Sequence, residues 1–112
     1  MGTSAVDIVL PCYNAGVWID GFVNGLLRLD MPSWRLIARD DGSSDDTLSV
    51  LQRWRTELGD RMLLVDSSAG NLGVIGNYNA VLASTSADWV LSADPDDVWL
   101  PNHVALVLEA LR

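Results

Sequence analysis

The chain has 112 residues, 49% of them hydrophobic, and its 15 acidic and 7 basic residues leave a formal net charge of -8. This length suffices for one small domain with a modest core, and the acidic excess argues against nucleic acid or an anionic membrane surface as a partner. The single cysteine excludes an internal disulfide bond, and no apolar run resembles a signal peptide or a membrane span, so we expect a cytoplasmic protein.

The spacing of apolar residues predicts four strands that alternate with four helices. Short β-branched runs predict the strands, and apolar residues three and four positions apart predict the helices. We expect strands at 6–11, 34–38, 62–65 and 89–93 and helices at 17–29, 45–58, 72–86 and 102–111. Ser43 or Ser44 is expected to cap the second helix, with Asp45 and Asp46 in its first turn. His103 is expected to be exposed on the last helix.

Alternation of this kind in a short chain predicts an α/β fold, with a parallel sheet, right-handed crossovers and helices on both faces. Such sheets bind ligands at the carboxyl ends of their strands, near the point where the strand order reverses. The side chains that we expect at this edge are Tyr13, Asp40, Asp41, Asp94, Asp96 and Asp97.

The most acidic of these loops, residues 93–99, follows a run of apolar residues that we expect to be a buried strand. It brings three carboxylates together, on Asp94, Asp96 and Asp97. Carboxylates packed this closely repel one another, and a hard divalent cation such as Mg²⁺ or Mn²⁺ relieves the repulsion through oxygen ligands. The alternative interpretation is an acidic turn built around Pro95.

Together the loops suit a nucleotide whose diphosphate is bridged by a metal ion. Tyr13 can stack on a base, and a carboxylate of the second loop can accept hydrogen bonds from base N–H groups. Each feature also has a simpler explanation, with Tyr13 as a half-buried packing residue and residues 40–44 as a turn and helix cap. Known phosphate loops do not fit, because the glycines within residues 70–76 are three apart and the chain has no Lys.

Four sequence blocks, taken together, resemble the nucleotide-binding half of family 2 glycosyltransferases with the GT-A fold. The blocks are V-L-P-C-Y-N at 9–14, D-D-G-S-S-D at 40–45, N-L-G at 71–73 and D-P-D-D-V-W-L-P at 94–101. The last block, with G-V-I-G-N-Y at 73–78, is most similar to the bacterial rhamnosyltransferase-type branch. The resemblance implies a Rossmann-like parallel sheet with the strand order 3-2-1-4 and helices on both faces.

The resemblance also implies roles for residues around the base. Pro11 and Tyr13 would border the base, and Asp41 would accept a hydrogen bond from its N3–H group. Asp40 would support the loop that carries Asp41. Arg39 departs from the family, which usually has an apolar residue before the D-D-G-S block.

For the metal, the resemblance implies that Asp94 and Asp96 take the place of the D-x-D pair of the family. Asp96 would be the direct ligand of Mn²⁺ or Mg²⁺, with Asp94 nearer the sugar and ribose, and Asp97 would assist through water. Tyr78 stands where many relatives carry an Arg that approaches the donor, although the rhamnosyltransferase-type branch often has an aromatic residue there.

The function implied is the donor-binding part of an inverting, metal-dependent glycosyltransferase. It would move a sugar from a UDP- or dTDP-sugar to a glycan or lipid-linked acceptor, in the cytoplasm or at the inner face of the cell membrane. In the family the general base and the acceptor half follow this part, so we expect residues 1–112 to be one partial domain without transfer activity. The alternatives are a non-catalytic nucleotide- or metal-binding module and a nucleotidyltransferase.

In the family's strand order the fourth strand lies at an edge that the acceptor half would cover. An uncovered apolar edge strand tends to pair with another chain. Trp99 and the apolar face of the last helix would lose partners too, and exposed apolar patches mark association surfaces. We therefore expect a homo-oligomer through the fourth strand or the last helix, whose apolar face comprises Val104, Leu108 and Leu111.

Overall fold

The computed structural model describes residues 6–30 and 33–103 of the chain. Its strands are β1 (Val6–Cys12), β2 (Trp34–Asp40), β3 (Met62–Leu64) and β4 (Trp89–Ser92). All neighbouring strands run parallel, and their order across the sheet is β3-β2-β1-β4. The predicted parallel α/β sheet with the order 3-2-1-4 is therefore confirmed.

Helices cover both faces of this sheet, as predicted. They are α1 (Gly16–Leu27), α2 (Thr47–Leu58) and α3 (Gly73–Leu82), with a short 3-10 turn (Gly59–Arg61) before β3. Successive side chains of a strand point to opposite faces. Ile8 and Leu10 of β1 belong to the larger core with α1 and α2, whereas Val9 and Ile37 pack with Val81 of α3.

Two predictions, one about a helix boundary and one about the burial of a strand, need correction. The third helix ends at Leu82 instead of at residue 86, because residues 83–88 turn toward the start of β4. The expectation that the fourth strand is buried is wrong, since Trp89 and Val90 are 42% and 37% exposed. In the described part of the chain β4 pairs only with β1, at the edge of the sheet. An edge strand with one neighbour leaves its side chains half open to water.

Trp99 has partners, contrary to the expectation from sequence. The segment after the acidic loop folds back onto α1, where Asp30 N–H donates to the carbonyl of Pro101 at 2.7 Å. Trp99 is buried there, with its ring edge-to-face against Phe22 and stacked on His103 at centroid distances of 5.7 and 4.4 Å. His103 is therefore half-buried instead of exposed.

Most of the predicted last helix, including its three apolar residues at 104, 108 and 111, lies outside the described residues. None of the helices that the structure describes is both long enough and apolar enough to pass through a membrane.

Candidate functional site

A cavity of about 380 Å³ opens at the carboxyl ends of the strands, between the β1, β2 and β4 loops and the start of α3. Four of the predicted nucleotide-binding residues line it, namely Pro11, Tyr13, Asp41 and Asp94. The volume lies in the range of small-molecule sites, about 300 to 1,000 Å³. Tyr13 is 56% exposed, so it is available for stacking and is not the half-buried packing residue of the alternative interpretation.

Asp40, the fifth predicted residue, does not line the cavity and lies behind it. Its buried carboxylate accepts hydrogen bonds from the backbone N–H and the hydroxyl of Ser43. Asp40 therefore holds the turn that follows β2.

The first and second loops are tied to each other through Asn14. Its backbone N–H donates to Ser43 Oγ at 2.7 Å, and its side-chain Oδ1 accepts from Ser44 N–H at 2.9 Å. Asn14 adopts a positive φ of 48°, a conformation that Asn tolerates better than most residues. These two hydrogen bonds between the first and second loops therefore fix the edge of the cavity near Tyr13.

The second loop caps a different helix from the one predicted. Asp46 precedes the first residue of α2 and makes no side-chain capping bond, and no carboxylate lies in the first turn. The expectation that Ser43 or Ser44 caps α2 is wrong. Instead, the loop serves the first N–H groups of α1, which lack partners within their own helix.

This capping runs between two helix starts that lie side by side. Thr47 Oγ1 accepts from Ala15 N–H at 2.9 Å, and Asp45 Oδ2 accepts from Gly16 N–H at 3.2 Å. Asp45 also accepts from the backbone N–H of Thr47 at 2.9 Å. The Thr47 hydroxyl donates to the same carboxylate. The bonds that Asp45 accepts lower its pKa, with the bond from the Thr47 hydroxyl as the largest cause.

Asp41, which lines the cavity, forms a buried ion pair with Arg39, and the two residues are 3% and 1% exposed. Asp41 Oδ1 accepts from Arg39 Nη1 at 2.8 Å and from Leu72 N–H at 2.7 Å, and Oδ2 accepts from Gly73 N–H at 3.1 Å. Burial tends to raise the pKa of Asp41, but these three hydrogen bonds together hold it below its usual range. The carboxylate is therefore ionised at neutral pH.

Two features of the backbone and the guanidinium complete this network. Gly73 has a positive φ of 81°, which glycine adopts readily and which lets two successive N–H groups face one carboxylate. Arg39 also donates from Nη1 to Asn77 Oδ1 at 3.1 Å and from Nη2 to the carbonyl of Gly70 at 2.9 Å. Arg39 thus lies on the α3 face of the sheet, where its charge is paired with Asp41 and its N–H groups have acceptors.

Sequence analysis missed two residues of the site, Asn71 and Asn77. Asn71 Nδ2 donates to the carbonyl of Asp41 at 3.0 Å, and Asn77 Nδ2 donates to the carbonyl of Cys12 at 3.3 Å. Both lie in the sequence blocks at 71–73 and 73–78 that carry the family resemblance. For Asn77 the Arg in a strand was a further signal, because a buried cation needs acceptors from neighbouring elements.

Cys12 also lines the cavity but is not a nucleophile. Burial, together with the nearby charge of Asp40, raises the pKa of its thiol to about 12. A thiol that stays protonated at neutral pH is a weak nucleophile.

The predicted carboxylates of Asp94, Asp96 and Asp97 come together beside the cavity. Asp94 lines the cavity, whereas Asp96 and Asp97 line a second pocket against α1. One oxygen from each lies within 4.8 Å of the others. Asp97 Oδ2 accepts from Asp94 N–H at 2.9 Å, and Asp97 N–H donates to the carbonyl of Asp94 at 2.9 Å. Three hard oxygen donors on one tight turn fit Mg²⁺ or Mn²⁺ in chemistry and in spacing. Asp94 belongs to both the turn and the cavity wall, so the two features adjoin.

Tyr78 lies on the wall of the cavity, and its hydroxyl shares a hydrogen bond with the hydroxyl of Ser92 at 2.5 Å. This bond links α3 to the end of β4. The ring therefore occupies a defined place on the wall of the cavity.

Comparison with known proteins gives one family. Residues 7–112 match the family model described as Glycosyl transferase family 2. The chain is 28% identical, over 107 residues, to the UDP-Glc:alpha-D-GlcNAc-diphosphoundecaprenol beta-1,3-glucosyltransferase WfgD of Escherichia coli. That match covers 95% of this chain and 40% of WfgD. The chain thus spans less than half the length of the curated relatives WfgD and TuaG that it matches.

Two solved structures show the same GT-A fold. The mannosyltransferase PcManGT of Pyrobaculum calidifontis, in complex with GDP-Man and Mn²⁺, has a TM-score of 0.85 and 23% identity, covering 98% of this chain and 33% of that one. The glucosyl-3-phosphoglycerate synthase of Mycobacterium tuberculosis, in complex with Mn²⁺, UDP and glucosyl-3-phosphoglycerate, has a TM-score of 0.69 and 25% identity. That second match covers 95% of this chain and 39% of the synthase.

Proposed function

Because the chain belongs to glycosyl transferase family 2, we propose that it binds the nucleotide of a nucleoside diphosphate sugar for transfer to a glycan or lipid-linked acceptor. The observation that carries this proposal is the meeting of Tyr13, Asp41 and Asp94 around one cavity, beside a three-carboxylate turn. The family membership argues against the nucleotidyltransferase alternative.

The base that the cavity suits best is uracil or thymine. A carboxylate has about four positions at which it accepts hydrogen bonds. Among the described residues, donors from Arg39, Leu72 and Gly73 fill three positions on Asp41, which leaves one on Oδ2. One acceptor matches the single N3–H of uracil or thymine, with Pro11 and Tyr13 beside the ring. The complex of the M. tuberculosis synthase with UDP supports the same assignment.

For the diphosphate we propose a divalent cation held by Asp96, with Asp94 and Asp97 beside it. The spacing of these carboxylates supports the assignment, as does the Mn²⁺ in the synthase complex. When bound, the cation would neutralise the charge of the leaving diphosphate. Mg²⁺ and Mn²⁺ both suit oxygen ligands, so we name both as candidates.

For the whole enzyme we propose an inverting transfer in cell-wall or polysaccharide biosynthesis. Residues 1–112 would be its donor-binding part, and the general base and the acceptor site would lie outside that part. The diphosphoundecaprenol acceptor named for WfgD supports a lipid-linked acceptor. We accordingly propose a cytoplasmic location at the inner face of the cell membrane.

The test is calorimetry of UDP binding with Mn²⁺, with Mg²⁺ and with a chelator. We expect the cation to tighten binding about fivefold or more, since opposite charges a few ångströms apart attract by about 1 to 4 kcal/mol. Asp96→Ala should abolish this gain. The matched control is Asp60→Ala, an exposed Asp in the 3-10 turn before β3, at the opposite end of the sheet.

Equal affinity with cation and with chelator would refute the metal assignment. A non-catalytic nucleotide- or metal-binding module would give the same binding result. Only a transfer assay on a protein that also contains the acceptor half separates it from the enzyme, and we expect that protein to transfer sugar.

A further inference from the structure

We propose that Arg39 makes the base site selective, admitting a base with one N–H on its pairing edge and discriminating against guanine, which presents two. The inference rests on the proposed function, since it takes Asp41 as the group that contacts the base. It goes further because it assigns the choice of base to a residue that does not touch the nucleotide.

The argument begins with the lone pairs of Asp41. Both acceptor positions of Oδ1 are in use, one by Arg39 Nη1 at 2.8 Å and one by Leu72 N–H at 2.7 Å. Among the described residues, Oδ2 has one partner, Gly73 N–H at 3.1 Å. One acceptor position of this cavity-lining carboxylate therefore stays open, and it is on Oδ2.

Guanine and uracil present different numbers of hydrogen-bond donors to a carboxylate. Guanine presents its N1–H and an amino N–H side by side, and a carboxylate pairs with two parallel donors through both of its oxygens. Uracil presents one N3–H between two carbonyl groups and needs one oxygen only. With Oδ1 occupied, Asp41 can satisfy uracil but leaves one N–H of guanine without a partner. A donor that loses its water and gains no acceptor weakens binding.

Arg39 cannot swing away to free Oδ1. Besides Asp41, its guanidinium donates to Asn77 Oδ1 at 3.1 Å, to the carbonyl of Gly70 at 2.9 Å and to the carbonyl of Asp66 at 3.4 Å. The side chain is 1% exposed, on a central strand. The planar fork of an Arg loses several bonds at once if it turns.

The GT-A fold by itself does not determine which base is bound. The GT-A fold holds GDP-Man in the P. calidifontis relative and UDP in the M. tuberculosis relative. Side chains around the base must therefore discriminate, and Arg39 limits what Asp41 can accept.

The first experiment measures dissociation constants of UDP and GDP by calorimetry at saturating Mn²⁺. We expect the unaltered protein to prefer UDP by about tenfold or more, the usual effect of one donor left unpaired beside a charged group. Arg39→Met should reduce the UDP-to-GDP preference at least about fivefold, because each oxygen of Asp41 then has one free position.

The matched control is Arg35→Met. Arg35 lies on the same strand and pairs with the buried Asp7 through Nε at 3.1 Å, four residues from Arg39 and away from the cavity. This variant should keep the UDP-to-GDP preference. An unchanged preference in Arg39→Met would overturn the inference, whereas failure of the unaltered protein to bind UDP would overturn the proposed function instead.

Arg39→Met leaves a buried carboxylate without its cation, which can prevent folding. A second variant therefore tests the same inference about Arg39. Asp41→Asn keeps the shape of the side chain. Its amide oxygen should face Arg39 and Leu72, since the reverse orientation would put an NH₂ group against two donors. The NH₂ group then faces the base and suits the N3 acceptor of cytosine.

We therefore expect Asp41→Asn to bind CDP more tightly than UDP, the reverse of the unaltered protein. Without Arg39 the two sides of the amide would be equivalent, each with one backbone N–H. A variant that still prefers UDP to CDP would show that Arg39 does not set the orientation of residue 41, and the inference would be abandoned.

Discussion

Replacing Asp41 by Asn should weaken uracil nucleotides and spare adenine nucleotides. Uracil offers an N3–H donor to this carboxylate, whereas the ring nitrogen at the pairing edge of adenine is an acceptor. A hydrogen bond to a charged group contributes about 1.5 to 3 kcal/mol. At about 1.36 kcal/mol per factor of ten, UDP affinity should fall about 10- to 150-fold. ADP affinity should not fall, because the bond being removed is one that the ring nitrogen of adenine does not make, and the NH₂ group of Asn can donate to that nitrogen.

The assay is calorimetry of UDP and ADP at the same saturating Mn²⁺, so that the shared diphosphate and cation contribute equally to both. Asp60→Asn serves as the control, since it removes one negative charge at the far end of the sheet. Equal losses for the two nucleotides would mean that Asp41 acts only by holding the loop at Leu72 and Gly73, and the assignment to the base would fail.

The pH dependence of UDP binding provides an internal check on the same carboxylate. The pKa of Asp41 lies below its usual range: burial tends to raise it, but the donors Leu72, Arg39 and Gly73 outweigh burial. An acceptor that stays ionised keeps its bond, and the terminal phosphate titrates alike in UDP and ADP, so the ratio of UDP to ADP affinity should be flat from about pH 8 to about pH 5. A steady fall of that ratio within the window would contradict the network described for Asp41.

Three further predictions concern the stability of the fold, self-association through the edge of the sheet, and sugar transfer. The carboxylate of the buried Asp7 accepts hydrogen bonds from Arg35, Ser86 and Ala87. These bonds hold its pKa below the usual range, although burial tends to raise it. The ionised carboxylate therefore stabilises the fold at pH values above its unfolded-state pKa of about 3.9. Urea titrations should show that this stability is lost as the pH falls through the folded-state pKa of Asp7. In Asp7→Asn the free energy of unfolding should depend less on pH in this acidic range. An equal loss of stability in the variant would refute the prediction. Light scattering should detect self-association through the exposed edge β4, reduced by Val90→Arg; a monomer at high concentration would contradict it. Sugar transfer by residues 1–112 alone should be undetectable, and measurable turnover would refute the assignment of the general base to another part of the enzyme.

Much of the fold and part of the site could be predicted from sequence, because they depend on local patterns. The apolar spacing of residues 17–29 and the β-branched runs report the helix and strand periods directly. Once the sheet is known to be parallel, the carboxyl ends of its strands must share one edge, which brings Asp41 and Asp94 to the same cavity. The family resemblance added the strand order, which no local pattern contains.

Other features depend on contacts between residues far apart in the chain, and only the tertiary structure decides them. Arg39 looked like a misplaced charge until Gly70 and Asn77, 31 and 38 positions away, proved to be its acceptors. Trp99 packs on Phe22 because the segment after the acidic loop returns to α1. Sequence reports which donors and acceptors exist, but their pairing depends on distances that arise only when the sheet and helices come together. Among the described residues, that pairing fills three of the four acceptor positions of Asp41 and leaves one open.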